Sequence, residues 1–167
     1  MHLVFPSEKY KRSYTYYIEE LGDEERYPFP LDFDHTDFQA MLKRNRDFYN
    51  GINLPAGYAP SSTYWLIDGE DIVGVSNLRH YLNEQLVEAG GHIGLGVRPS
   101  RRQSGVGKTL LMLTLEQARQ KNIHIVHIHC YADNRASASL IRACGGELES
   151  IVVSDKRKIA RFIINQT

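Results

Sequence analysis

The chain has 167 residues, the length of one domain, and 42% of them are hydrophobic while 24% are charged. These ordinary globular values exclude wholesale disorder, and the length suffices to bury a core without staples. Lys and Arg number 20, as do Asp and Glu, so the net charge is zero and offers no basic excess for a nucleic-acid backbone. The two cysteines, Cys130 and Cys144, cannot build a disulfide scaffold.

The chain also carries no sign of a membrane or secretory segment. No apolar run approaches membrane-spanning length, and the first residues, MHLVFPSEKYKRSY, contain no long apolar stretch. No repeat, low-complexity tract or flexible linker divides the sequence. We therefore expect one domain over residues 1–167, located in the cytoplasm, without a nucleic-acid or membrane partner.

A strand and a tyrosine-rich helix are predicted first. Residues 2–5 are a short apolar strand candidate, and Pro6-Ser7 opens a helix in which apolar residues recur at helical spacing as far as Leu21. The same helix contains four tyrosines. The spacing predicts that three of them line the buried face while Tyr16 points outwards.

A second helix and a hairpin follow. The helix begins near Thr36, because Thr36 and Gln39 fit a capping box. The next predicted elements are a turn-rich segment over residues 50–62 and two strands, 63–67 and 72–79, joined at Asp68-Gly69.

The second half of the chain alternates strands with helices. Its predicted elements are a short helical turn at 83–88, a strand at 92–97, a helix at 105–120, a strand at 123–131, a helix at 134–144, and a hairpin of 147–154 with 159–164. The order of the longer elements is βααβββαβαββ. This order indicates an α/β or α+β domain.

The segment VRPSRRQSGVGKTLL, residues 97–111, carries the clearest chemistry. A strand runs into a turn that contains Gly105 and Gly107, and a long helix begins there. Glycines allow close backbone approach, and free N–H groups at a helix N-terminus bind phosphate. Arginines and a lysine crowd the same turn. The pattern predicts an anion cradle.

A P-loop, G-x-x-x-x-G-K-[ST], is one phosphate site that this turn resembles. Gly107-Lys108-Thr109 matches the end of that motif, but Arg102 stands where the first glycine must be. The nearest candidate for a Walker-B acid, Asp133, follows a strand that His127 and His129 interrupt. A P-loop nucleotide-binding protein is therefore a remote alternative.

The turn resembles more closely the [RQ]-x-x-G-x-[GA] pyrophosphate loop of the GNAT family of N-acetyltransferases, which Arg102-Gln-Ser-Gly105-Val-Gly107 fits at every position. Further along, NRASASLIRACG, residues 134–145, resembles the family motif N-x-x-[SA]-x-x-L-[YI]-x-x-x-G, and the element order agrees along nearly the whole chain. The segments at 52–55, 63–66, 79–80 and 90–94 further resemble a bacterial branch of predicted acetyltransferases.

This resemblance implies a mixed, mostly antiparallel central sheet with helices on both faces. Acetyl-CoA, the implied cosubstrate, would lie in a V between strands 92–97 and 123–131, with pyrophosphate on the N–H groups of residues 103–108. Arg101, Arg102 or Lys108 would reach the outer phosphates. The implied cofactor-binding residues are Leu95, Gly96, Val97, Arg102, Gln103, Ser104, Gly105, Val106, Gly107, Lys108, Asn134 and Ser137.

The implied reaction is direct attack of a primary amine, from a small molecule or a peptide, on acetyl-CoA in a ternary complex. Deprotonating an amine of pKa about 10.4 at pH 7 costs roughly 4.6 kcal/mol, whereas a thiolate leaving group of pKa about 8.5 costs only about 2 kcal/mol. A general base therefore matters more than a general acid. Its candidates are His92 and His80, with Glu88 as a third choice.

One position departs from the family pattern. Many members place a tyrosine acid where this chain has Ile141, so that role is missing or has moved to Tyr131. A non-catalytic acyl-CoA-binding module is accordingly the alternative function. His127 and His129 share a strand face, but no third ligand is legible, so we expect no metal.

The distribution of charge is the one feature of the sequence that bears on the acceptor. Eight carboxylates cluster between the first two helices, at positions 19, 20, 23, 24, 25, 32, 34 and 37, whereas the glycine turn is basic. A cationic amine acceptor is one interpretation of this segregation, and an ordinary solvated loop is the other. A homodimer is left open.

Overall fold

The computed structural model describes residues 1–167 and contains one seven-stranded sheet. Its strands are β1 His2–Val4, β2 Ser61–Asp68, β3 Asp71–Arg79, β4 Ile93–Val97, β5 Ile125–Tyr131, β6 Glu147–Ser154 and β7 Arg157–Asn165. The α-helices are α1 Lys11–Leu21, α2 Phe38–Asn50, α3 Glu84–Glu88, α4 Val106–Gln120 and α5 Arg135–Ala143. The strand order is β1-β2-β3-β4-β5-β7-β6, and every neighbouring pair is antiparallel except β4 with β5.

The two central strands separate soon after they meet. β4 and β5 pair in parallel only at Ile93 and Ile128, and Gly91 adds an isolated bridge to Ile128. On its other edge β4 stays paired with β3 along its whole length. A V-shaped opening therefore lies between β4 and β5, with its closed end at Ile93.

Helices cover both faces of the sheet. Successive side chains of β3 point alternately to the two faces. Val75 packs in the aromatic cluster formed with α1 and α2. The Ser76 hydroxyl lies 2.7 Å from that of Thr114 in α4, and Leu78 packs in the cluster that α4 and α5 complete. The predicted fold class, a mixed and mostly antiparallel sheet between helices, is confirmed.

The tyrosine-rich helix confirms its predicted faces. Tyr10, Tyr14 and Tyr17 are buried, whereas 47% of Tyr16 is exposed. The α-helix begins later than predicted, at Lys11, because residues 8–10 form a 3₁₀ turn.

The predicted capping box of the second helix is wrong. Asp37 is the N-cap, since its carboxylate accepts the Ala40 N–H at 3.0 Å. Thr36 instead donates its N–H and its hydroxyl to the Asp34 carboxylate, at 2.9 and 2.8 Å. The Gln39 amide donates to Glu8 rather than turning back on the helix.

Several strand boundaries, among them those of β2, β5 and β7, also differ from the prediction. β2 begins two residues earlier, at Ser61, because Ser61 and Ser62 still pair with Arg79 and Leu78 of β3. β5 begins at Ile125 because the Ile123 N–H is taken by the Ala118 carbonyl at the end of α4. None of the helices has the length and apolarity needed to cross a membrane.

Candidate active site

The loop between β4 and α4 presents a row of free backbone donors. The N–H groups of residues 103–108 make no hydrogen bond within the protein. Gly105 caps the helix with φ of 83°, and a Cβ placed there would meet no atom within 4 Å. Since these donors lie at the N-terminus of a 15-residue helix, their partial positive charge adds to that of the helix dipole. The loop can therefore hold an anion such as a phosphate.

Gly107 and Val106 fix this helix terminus against the sheet. A Cβ on Gly107 would lie 3.2 Å from a Leu140 methyl on α5 and 3.5 Å from Val97 on β4. Val106 is buried with Leu110 beneath the loop. The motif residue Gly107 thus permits close packing, whereas Gly105 keeps open the space where the donors point.

Three arginines of the loop are paired with carboxylates. Arg102 donates from Nε to the Val97 carbonyl at 3.1 Å and from its two terminal nitrogens to Glu24 at 3.2 and 2.7 Å. This hydrogen bonding lowers the pKa of Glu24. Arg98 donates to Glu20 at 3.2 Å, and Arg101 donates to Asp68.

These pairs change the charge picture drawn from the sequence. Glu20 and Glu24 belong to the acidic cluster, yet they neutralise the basic turn instead of forming a separate lobe with the rest of the cluster. The expected contact of Arg101 or Arg102 with outer phosphates is not favoured, because both guanidinium groups already bind carboxylates. Lys108 is exposed and makes no ion pair.

The edge of β4 that faces the V supplies further backbone groups. The Arg98 N–H donates to the Val73 carbonyl of β3 at 2.9 Å. Because antiparallel strands direct alternate residues to opposite edges, Gly96 also faces β3, while Leu95 and Val97 face the V. Of the three residues expected to pair with pantetheine, Leu95 and Val97 are thus suitably oriented and Gly96 is not.

Gly96 and Gly94 have a different role on the sheet face. A Cβ on Gly96 would stand 2.3 Å from the Tyr27 carbonyl oxygen, and one on Gly94 would stand 3.0 Å from the Tyr27 hydroxyl. Tyr27 therefore lies flat against β4 and can do so only because both residues are glycines. Although 42% of the residue is exposed, burial of its hydroxyl end raises its pKa.

Tyr131 lies on the same sheet face, at the open end of β5. The opposite face of β5 carries Val126 and Ile128, which pack in the α4–α5 cluster. The guanidinium carbon of Arg157 stands 3.4 Å from the centroid of the Tyr131 ring. The structure thus brings Tyr131 and Tyr27 to one side of the V.

Asn134 and Ser137 stand at the start of α5. The Asn134 side-chain oxygen accepts the Ser137 N–H at 3.0 Å and so caps the helix. The Asn134 amide nitrogen makes no hydrogen bond within the protein, and the residue is exposed. Its donor is therefore available to a ligand in the V, whereas the Ser137 N–H is already used by the cap.

His92 is placed at the closed end of the V but is bound as a structural residue. Its ring Nδ1 accepts the backbone N–H of His127 at 3.0 Å, and the backbone N–H of His92 donates to the His127 carbonyl at 2.7 Å. Burial, with smaller effects of His127 and Arg79, lowers its pKa to about 4. With Nδ1 occupied, the proton of the neutral ring is assigned to Nε2, so this geometry does not favour His92 as the general base.

His80 lies on the other face of the sheet. It follows Ser76 and Leu78 in the alternation of β3 toward α4, and its Nε2 is 2.8 Å from the Ser62 hydroxyl. Burial and the nearby Lys121 lower its pKa to about 4. The sheet therefore separates His80 from Tyr27, and its role as a base remains a prediction that its position does not support.

Two residues of this site, Tyr27 and Arg79, were not singled out in the sequence as candidates for catalysis or binding. Arg79 is buried on the Tyr27 face, and its Nη1 donates to the carbonyls of Gly90 and Gly91 at 3.1 Å each. The run GLGV, residues 94–97, contained a signal that could have predicted the contact with Tyr27. Two glycines spaced by two on one strand face indicate that another backbone approaches there.

Comparison with known proteins gives a consistent result. The sequence matches the description "Acetyltransferase (GNAT) family" over residues 12–145, most of the chain. No curated protein matches it.

Several solved structures share the fold. An acetyltransferase of Salmonella typhimurium that modifies the N-terminal serine of a 50S ribosomal protein has 16% identity and a TM-score of 0.70, covering 98% of this chain and 93% of that chain. A mutant of the spermidine N-acetyltransferase SpeG of Vibrio cholerae has 14% identity and a TM-score of 0.67, covering 99% and 95%. The protein yncA of Salmonella typhimurium with acetyl-CoA has 12% identity and a TM-score of 0.64, covering 99% and 94%.

Proposed function

Because this chain belongs to the GNAT family of acetyltransferases, we propose that it transfers the acetyl group of acetyl-CoA to a primary amine in a ternary complex. The family match confirms the enzyme class and the cosubstrate expected from the sequence. The observation that carries the proposal is the row of six free N–H groups, residues 103–108, beside the V. A cytoplasmic location belongs to the same proposal.

The V and the loop beside it offer binding groups for each part of acetyl-CoA. The pyrophosphate takes the N–H donors of residues 103–108, with Lys108 as the unpaired cation nearby. The pantetheine arm pairs with the groups of Leu95 that face the V and with the Val97 N–H, since the Val97 carbonyl accepts Arg102. The Asn134 amide donates to it. Arg102 acts indirectly, by fixing the loop through Val97 and Glu24.

The acceptor approaches from the sheet face that carries Tyr27 and Tyr131. Its nitrogen attacks the thioester carbonyl carbon, the carbon–sulfur bond breaks, and the departing sulfur takes a proton. Tyr131 is the proposed donor of that proton. The raised pKa of Tyr27 keeps its hydroxyl protonated at neutral pH, so Tyr27 is available as a second donor.

Removal of the proton from the amine is proposed to involve solvent. Neither His92 nor His80 offers a free, basic nitrogen beside the V. The α-amine of a peptide N-terminus, of pKa about 8, costs only about 1.4 kcal/mol to deprotonate at pH 7, against roughly 4.6 kcal/mol for a lysine-like amine. An acceptor with a weakly basic amine therefore needs little help from a base.

A non-catalytic acyl-CoA-binding module is the second candidate, favoured by Ile141 at the position where many family members have a tyrosine. Calorimetry with acetyl-CoA tests the binding site, and thiol release with a panel of amines tests the transfer. We expect micromolar acetyl-CoA binding and thiol release that depends on the amine. Binding without release for every amine would favour the module, and no binding would contradict both candidates.

A further inference from the structure

A cavity of about 280 Å³ lies on the α1–α2 face of the sheet, next to the closed end of the V. The rings of Phe29 and Tyr58, with centroids 5.2 Å apart, form one wall, and Leu86 on α3 and Gly90 contribute another. Arg79 is the one charged residue among those that line the cavity. The cavity thus combines aromatic and aliphatic side chains with the polar Gln85 and contains a single cation with no carboxylate.

The Arg79 guanidinium is only partly satisfied by the protein. Nη1 donates to the carbonyls of Gly90 and Gly91, but Nε and Nη2 make no hydrogen bond, and no carboxylate lies within 4 Å. Only 9% of the residue is exposed, and its guanidinium carbon lies 5.8 Å from the centroid of the Phe29 ring. Nε and Nη2 nevertheless keep some accessible surface, so a ligand in the cavity can reach them. A buried charge without a counter-ion is costly, so such groups are normally paired. Nε and Nη2 form the side of the guanidinium fork that binds a carboxylate with two parallel hydrogen bonds.

The cavity is also joined to the reacting part of the proposed site. Gly91, whose carbonyl Arg79 binds, bridges to Ile128 where the V closes. Phe29 lies two residues beyond Tyr27, whose hydroxyl covers Gly94 on β4. A molecule held by Arg79 therefore lies beside the face from which an acceptor reaches the thioester.

Resting on the proposed acetyl transfer, we infer that the acceptor is a small amine that carries a carboxylate, such as an apolar α-amino acid. Its carboxylate pairs with Nε and Nη2 of Arg79, and its side chain packs between Phe29, Tyr58 and Leu86. A polyamine finds no anionic partner in this cavity. The assignment thus opposes the cationic acceptor suggested by the acidic cluster in the sequence.

The test compares acids with their amides in the same enzyme. Alanine, valine, leucine and phenylalanine are each assayed by thiol release beside the corresponding amino-acid amide. In parallel, calorimetry on the protein with CoA measures binding of the N-acetyl amino acids and of their amides. The α-amine of an amino acid is more basic than that of its amide, so kcat/KM is expressed per neutral amine for both. On this basis we expect at least one acid to exceed its amide by 30-fold or more, and its N-acetyl form to bind correspondingly tighter.

Arg79→Lys keeps the positive charge but removes the fork, and we expect it to reduce the preference for the acid at least tenfold while acetyl-CoA binding stays unchanged. Arg46→Lys, at an exposed position on α2, is the matched control. Should Arg79→Lys fail to fold, the comparison of acids with amides in the unmodified protein decides alone. Equal kcat/KM and equal binding for all four pairs would overturn the inference.

The two proposals fail in different ways. Thiol release that is as fast with amides as with acids, when both are expressed per neutral amine, would reject the carboxylate site and retain the acetyltransferase. Absence of release with every amine would reject the proposed transfer, while calorimetry of the N-acetyl compounds would still decide for or against the carboxylate site.

Discussion

Gly105 unites the backbone and ligand requirements of the proposed cosubstrate loop. Its φ of 83° lies in the left-handed region, where side chains other than those of Asn and Asp are strongly disfavoured. The space beside its α-carbon is open, so a side chain there would enter the region where the free N–H groups point. Backbone strain and charge can therefore be separated by choosing two substitutions of similar shape.

We predict that Gly105→Asp weakens acetyl-CoA binding on the order of 100-fold, or about 2.8 kcal/mol, relative to Gly105→Asn. Both side chains tolerate a positive φ and are nearly equal in size, so the difference reports the added negative charge beside the pyrophosphate. Calorimetry provides the measurement, and Gly69→Asp in the β2–β3 turn, also at a positive φ with open space, is the control. Equal affinities for the two Gly105 variants would contradict the placement of the pyrophosphate.

For individual residues, the sequence predicted binding by backbone groups better than it predicted the roles of side chains. The loop at 103–108 was predictable because its motif encodes local geometry. The role inferred for Arg79 was not predictable, because it depends on an aromatic wall contributed by Phe29 and Tyr58, residues distant in sequence. His92 has an imidazole suited to a base, but strand register places its Nδ1 against the His127 N–H.

The end of α1 and the turn after it support the cosubstrate loop. Glu20 accepts the Ser100 N–H at 2.9 Å as well as the Arg98 side chain, and Glu24 binds Arg102 through both carboxylate oxygens. These contacts join segments almost 80 residues apart. The loop is therefore held in place by the end of α1 and the turn after it, in addition to the hydrogen bonds within the loop.

Glu24→Gln should raise the Kd for acetyl-CoA about threefold, because the neutral amide holds Arg102 less firmly and the loop becomes less ordered. The effect on the free energy of unfolding should stay within about 1 kcal/mol, as expected for a solvent-exposed ion pair. Glu19→Gln, at an exposed position near the end of α1, serves as the control. If both variants bind acetyl-CoA equally well, the pair with Arg102 does not order the loop.

Elements with strong periodicity or motif context were predicted well, whereas the beginnings of α1 and α2 were predicted too early. α4 was placed within one residue because its start coincides with the glycine motif. α2 was given the wrong cap because Asp34, Thr36 and Asp37 all offer capping groups, and packing decides among them. The V itself has no local signature, since it arises where β4 and β5 stop pairing.

Across the whole molecule, three histidines are held in the neutral state. His80, His92 and His129 each have a pKa lowered to about 4, in every case chiefly by burial. The Nδ1 of His129 accepts the Gly90 N–H at 3.0 Å, an interaction that the neutral ring alone can make. An unfolded histidine has a pKa of about 6.5, so between pH 6.5 and 4 the unfolded chain binds more protons than the folded protein.

The stability that these rings contribute is therefore fully present above pH 6.5 and lost as the pH falls toward 4. Each ring adds a slope of up to about 1.4 kcal/mol per pH unit to the free energy of unfolding in that window.

His92→Asn removes one titrating ring, while the side-chain oxygen of the asparagine can still accept the His127 N–H. We expect urea unfolding at pH 7, 6 and 5 to show a shallower loss of stability for this variant than for the unmodified protein. His124→Asn, at an exposed position, is the control for the substitution itself. An unaltered slope in His92→Asn would mean that His92 titrates alike in the folded and unfolded chains and is not held neutral at the closed end of the V.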